Sequence, residues 1–108
     1  MYRFDYETDV LEGALGAPHA IDIAYTFGNP DATALSGTRH DRHRVAARTS
    51  ACWAAFARTG DPGTQDTTGW EPYDTARRAT LFIDSSLAAV DDPDANEQRA
   101  WDGLNVSL

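Results

Sequence analysis

Four residues of this chain could carry proton-transfer, metal or thiol chemistry near neutral pH: His19, His40, His43 and Cys52. An imidazole titrates close to neutrality, and a thiolate is a nucleophile and metal ligand. His19 follows Gly16-Ala17-Pro18, a turn of small residues. It leads through Ala20 into Ile21-Asp22-Ile23-Ala24-Tyr25-Thr26-Phe27-Gly28-Asn29, a short apolar run with an acid at its head. Such a turn could present a general base. On spacing alone, a solvated or locally bonded loop histidine is the simpler reading, because single histidines titrate there without catalysing anything. Asp22 either hydrogen-bonds nearby backbone or is a plain acid at a helix N-terminus, and the residues leave both open.

The other candidates read as structure. His40 and His43 flank Asp41 at a predicted helix start, and two histidines with one acid are too few fixed ligands for a metal, so a solvated helix end is expected. Cys52 falls on an apolar helix stripe and is expected to be an inert core residue. Trp53, Phe56, Trp70 and Trp101 are expected to pack and not to form an aromatic ligand cage. Asp91, Asp92 and Asp94 are most simply a helix cap, since calcium needs six to eight oxygen ligands that are not in evidence.

The elements that must position these groups follow from periodicity. Tyr2-Arg3-Phe4-Asp5-Tyr6 alternates aromatic with charged residues, the pattern of a strand with one buried face. Residues 7–18, with two glycines and a proline, read as loop. Residues 20–27 suit a short helix ended by Gly28, with Pro30 beyond. The clearest helix is 41–58, where Val45, Thr49, Cys52 and Phe56 recur at helical spacing and Ala46 and Trp53 widen the stripe. Asp41 is expected to cap its start, with Gly60 and Pro62 ending it. In this reading Val45, Cys52, Trp53 and Phe56 are buried, and Arg42, Arg44, Arg48 and Arg58 face water. Residues 79–84 read as a short strand beside residues 2–6. A last helix opens at Asp92-Pro93 and runs to about Trp101. There is no internal repeat and no low-complexity tract.

Bulk properties bound the answer further. At 108 residues the chain is one domain at most, able to bury roughly 60–68% of its unfolded surface. A hydrophobic share of 42% suits a globular protein. The net charge of −8 argues against nucleic acid or an anionic membrane as partner. A single cysteine excludes an internal disulfide. No apolar run approaches the ~18–20 residues of a membrane span, and the N-terminus lacks a signal peptide's apolar core. A cytoplasmic product is the default expectation, with secretion of a longer parent left open.

The setting of His19 resembles the histidine loop near the C-terminal end of type-B carboxylesterases, members of the α/β-hydrolase fold. Gly16, His19, Asp22, Ile23, Phe27, Gly28 and Asn29 match that family's Gly-x-x-His-x-x-[Asp/Glu]-hydrophobic-x-x-x-Phe-Gly-Asn pattern. The likeness continues through Tyr-Arg-Phe-Asp (2–5), Phe-Ala-Arg-Thr-Gly-Asp-Pro (56–62), Trp-x-Pro-Tyr-Asp (70–74), the strand at 80–84, and Asp-Asp-Pro ahead of Arg99 and Trp101. It implies an α/β architecture: a late sheet strand, the histidine loop, packing helices and an edge strand. It assigns residues 1–104 to the C-terminal portion of a carboxylesterase domain, incomplete as a stand-alone unit, with 105–108 as an unplaced tail.

The resemblance also implies chemistry. His19 would be the general base of a Ser-Glu/Asp-His triad acting on a small-molecule carboxylic ester, with no cofactor and no metal. Yet chain order in this fold is serine, acid, histidine, with the serine on a Gly-x-Ser-x-Gly elbow. No serine or cysteine precedes His19, and Ser36, Ser50, Ser85, Ser86 and Ser107 all lack the elbow glycines. The chain carries one third of a triad and no glycine-rich oxyanion segment, so alone it is expected to be inactive. Three readings follow: the C-terminal segment of an esterase, one half of a split enzyme completed by an N-terminal portion, or a non-catalytic remnant or small binding module.

Overall fold

The computed structural model describes residues 1–102 and 104. Its sheet has three strands in the order β1 (Tyr2–Phe4), β2 (Thr80–Ile83), β3 (Leu87–Val90). β1 runs parallel to β2, with Tyr2 opposite Leu81 and Phe4 opposite Ile83, as the sequence leads one to expect for neighbours. A parallel pair needs a long crossover, and the helices α1 (Ile21–Thr26) and α2 (Arg42–Thr59) lie within it. β3 returns antiparallel to β2 after the Asp84–Ser86 turn. The helix α3 (Ala95–Trp101) closes the described chain.

The core lies where β2, α1 and α2 meet. Tyr6, Ile21, Ala24, Tyr25, Val45, Ala46, Leu81 and Ile83 form one buried cluster, flanked by Phe4, Trp53, Trp70 and Leu87. α2 forms because Val45, Ala46, Thr49 and Cys52 fall on one face, and burying that stripe against α1 supplies most of its stability. It stops at Gly60, whose φ of 78° lets its N–H reach Phe56 O at 2.8 Å.

Several sequence expectations need correction. Phe56 is 58% exposed, not buried: the ring lines an open cleft with Met1, Pro62, Trp70 and Tyr73 at the end of α2. Trp53 is half-buried, its ring meeting Tyr2 edge-on at 4.8 Å. Arg42 and Arg48 are likewise half-buried, while Arg44 and Arg58 face water. Trp101 is exposed on α3 and packs against nothing in the core. Asp41 precedes α2 but makes no capping bond, because its carboxylate is drawn into tertiary contacts. Asp91, Asp92 and Asp94 do not cap α3 either; they pair with Arg77, Arg78 and Arg3, and the helix begins only at Ala95. Residues 10–13 form a tight turn within the predicted loop, with Leu11 and Glu12 in left-handed backbone, and β3 is an additional strand that the sequence reading does not predict.

Candidate active site

The stretch bearing His19 leaves the carboxyl end of β1 and is tied down on both sides. Upstream, Thr8 N–H donates to Gly16 O at 3.0 Å, closing residues 8–16 into a loop. Thr8 is buried and its hydroxyl accepts from Val10 N–H at 3.2 Å. Downstream, Ile21 N–H donates to Pro18 O at 3.2 Å, and Ala20 takes a left-handed φ of 67° to turn the chain into α1. α1 is then held by Ile21, Ala24 and Tyr25, all buried. His19 sits between these anchors with its ring exposed.

In open α/β sheets, ligands bind outside the carboxyl ends of the strands. Here Asp5 and Glu7 beyond β1, Ala17 from the histidine loop, Asp84 and Ser85 beyond β2, and Arg39 line a polar cleft of about 480 Å³ at that end. Beneath it lies a buried carboxylate that sequence reasoning did not single out as such. Asp41, 6% exposed, accepts from Tyr6 Oη at 2.6 Å and from Ser85 Oγ at 2.7 Å. Arg39 and Arg44 each approach the same carboxylate at 3.5 Å. Arg39 also donates to Ser85 Oγ at 3.0 Å and stacks 4.5 Å over the Tyr6 ring. The bonds from Tyr6 and then Ser85 hold Asp41 well below the usual carboxylate range, against the opposing effect of burial. Burial first, and then the bond to Asp41, pushes the Tyr6 phenol up. The cluster joins the end of β1, the start of α2 and the β2–β3 turn.

None of the sequence candidates lines this cleft; the histidine loop reaches it through Ala17 and not through His19. Asp22 lies in the first turn of α1 and accepts from the Tyr2 hydroxyl at 3.1 Å, not from backbone. His43 approaches Asp31 at 3.4 Å, and that is the one histidine ion pair among the described residues. Those residues place no group of three or more His, Cys, Asp or Glu to hold a metal ion. Cys52 is buried, as expected, and burial pushes its thiol up. Ser85 is committed to Asp41 and Arg39, and Ser36 is fully buried; neither bonds a histidine among the described residues. The only sequence signal for the Asp41 cluster was an acid ahead of a helix, and that signal pointed to a cap.

The sequence matches the carboxylesterase family over residues 1–101. It is 41% identical to the human (Homo sapiens) bile salt-activated lipase over 78 residues, covering 69% of this chain and 10% of that protein. It is 28% identical to the para-nitrobenzyl esterase of Bacillus subtilis (strain 168) over 102 residues, covering 92% of this chain and 20% of the relative. Among solved structures, a carboxylesterase of Geobacillus stearothermophilus superposes with a TM-score of 0.75 at 35% identity, over 94% of this chain and 21% of the other. These neighbours are esterases of the α/β-hydrolase fold, and the small mixed α/β structure here is an incomplete portion of it. The chain belongs to the carboxylesterase family. It spans between a tenth and about a fifth of the length of these relatives. No described helix is long and apolar enough to cross a membrane.

Proposed function

We propose that residues 1–104 are the C-terminal part of a carboxylesterase domain and contribute its general base, His19. In the completed enzyme, His19 takes the proton of a serine hydroxyl as the oxygen attacks a carboxylic ester, then returns it to the departing alcohol. Water repeats the sequence to release the acid, and no cofactor takes part. The observation that supports this most is position: an exposed imidazole on a loop anchored at Gly16 and Ile21, following a strand whose carboxyl end borders a polar cleft. The nucleophile, the triad acid and the oxyanion donors would come from a portion outside these residues, and the substrate is a small-molecule ester.

A second reading, the split enzyme, assigns His19 the same role and draws on a further observation that fits either case. Ile23 in α1 and Phe27 just after it are 56% and 75% exposed and line one open groove. A complementing N-terminal portion carrying Gly-x-Ser-x-Gly would cover such surface. The test is to mix the purified chain with that portion from the parent gene or a close relative and follow hydrolysis of an alkyl ester. Saturable turnover that requires both parts and is lost in His19→Ala is expected. Turnover that survives His19→Ala would overturn the assignment of the base.

A further inference from the structure

The histidine loop touches the rest of the fold at a point the catalytic reading does not use. Asp9, seven residues after the start of β1, reaches across to the segment that precedes α2. Its Oδ1 accepts from Thr38 N–H at 2.8 Å and its Oδ2 from Thr38 Oγ1 at 2.7 Å. Both bonds are to a carboxylate, the stronger class. Beside them Gly37 holds φ 65° and ψ −152°, a backbone state that glycine alone occupies easily. A Cβ on Gly37 would collide with the Asp9 carboxylate and lie 2.8 Å from Thr8 Oγ1. The carboxylate thus fills the space that the missing side chain leaves. Thr8 in turn is the residue whose N–H holds Gly16 O, three positions before His19.

We propose that Asp9 is a positioning residue for the histidine loop. Seated against Gly37, it locks Thr8 in place, and Thr8 fixes Gly16 and so the take-off of His19. The inference rests on the reading of His19 as the base for its relevance to catalysis, but not for its mechanics. Asp9 does not touch the imidazole; it acts through Thr8 and Gly16.

Amide exchange on the intact chain tests this without substrate. In Asp9→Ala, exchange at residues 8–16, above all at the Thr8 amide that donates to Gly16 O, should rise about tenfold or more, as expected when two bonds to a carboxylate are lost. Exchange at residues 45–52 in α2 should stay within about twofold of the parent. Asp9→Asn should restore protection, since its carbonyl still accepts from Thr38 N–H and its amide can donate to the Thr38 hydroxyl. Gly37→Ala, which evicts the carboxylate from the other side, should reproduce the Asp9→Ala pattern. Unchanged exchange at 8–16 in Asp9→Ala would overturn the proposal, and so would an equal rise in both segments or no rescue by Asn. His19→Ala should leave the pattern at 8–16 intact, so failure of the general-base reading and failure of this one show up in different measurements.

Discussion

Tyr6 and Asp41 meet in the interior, phenol to carboxylate at 2.6 Å, across 35 positions of sequence. Two groups that would each be costly to bury alone are thereby made mutually satisfied, and Ser85 supplies the second oxygen with a donor. Removing one partner should cost more than an average surface change. Tyr6→Phe is expected to lower stability by ~1–3 kcal/mol, the cost of leaving a buried acceptor short of a donor, read from the shift of a urea midpoint.

The same pair sets how stability depends on pH. The Asp41 carboxyl is depressed in the folded state, so its contribution is present above the unfolded carboxylate value of about 3.9 and is lost as pH falls toward its folded value. The Tyr6 phenol is raised, so its contribution is complete below about pH 10 and is lost as pH climbs past that. A plateau between these limits is expected, with stability falling on acidification below about pH 4. Asp41→Asn should flatten that acid limb; an acid limb of unchanged steepness in the variant would remove Asp41 as its source.

Exposure of Phe56 gives a contrast within one experiment. Leu81 is fully buried in β2, and Leu81→Ala should cost ~2–5 kcal/mol. Phe56→Ala, at a ring open to solvent, should cost less than about 1 kcal/mol in the chain alone. If a complementing portion covers this cleft, the Phe56 penalty should grow in the complex, as comparative midpoints would reveal.

Apolar side chains left at the surface predict how the chain behaves in solution. Ile23, Phe27 and Leu35 line one open apolar groove, and the outer edge of β1 pairs with no strand among the described residues. The chain alone is expected to be weakly stable and to bind hydrophobic dyes or associate. Phe27→Ser should reduce dye fluorescence measurably; a dye-silent monomer with a sharp transition well above ordinary mesophile temperatures would contradict this.

Catalysis by the chain alone should be no more than that of free imidazole. Losing a single oxyanion donor costs ~3–4 kcal/mol in enzymes that have the full set, and no such set is read in this sequence. Cleavage of an activated aryl ester should be slow and should not saturate. His19→Ala should remove no more than its share among the three histidines. A serine-directed phosphonate should leave no adduct by mass spectrometry, and an adduct at any serine would require a different nucleophile assignment.

What could be read from the sequence depended on whether local pattern and tertiary environment agreed. α2 was legible nearly to the residue, because Val45, Thr49 and Cys52 lie on one helical face and are buried there. The pairing of β1 with β2 was legible from two short strands rich in aromatic or β-branched residues. β3 was not, because Leu87-Ala88-Ala89-Val90 has little strand propensity of its own and is extended by the ladder β2 offers. Asp41 misled: an acid before a helix is ordinarily a cap, but here the stronger partners lie far away in sequence at Tyr6 and Ser85. Only the pattern around His19 separates it from His40 and His43 as a candidate base, and the Asp9–Thr38 contact has no sequence signal, since neither residue type marks a long-range bond.

The register that sets Tyr2 opposite Leu81 also has a bearing on how the chain acquires its fold. Parallel pairing between segments so far apart belongs to the slow, non-local kind, since a long loop must close before the first strand contact is gained. α2, built from local contacts, can form early, while β1, made before β2, waits for it. During that interval Tyr2 and Phe4 stand without β2. The order of synthesis and the order of assembly therefore run in opposite directions at this sheet.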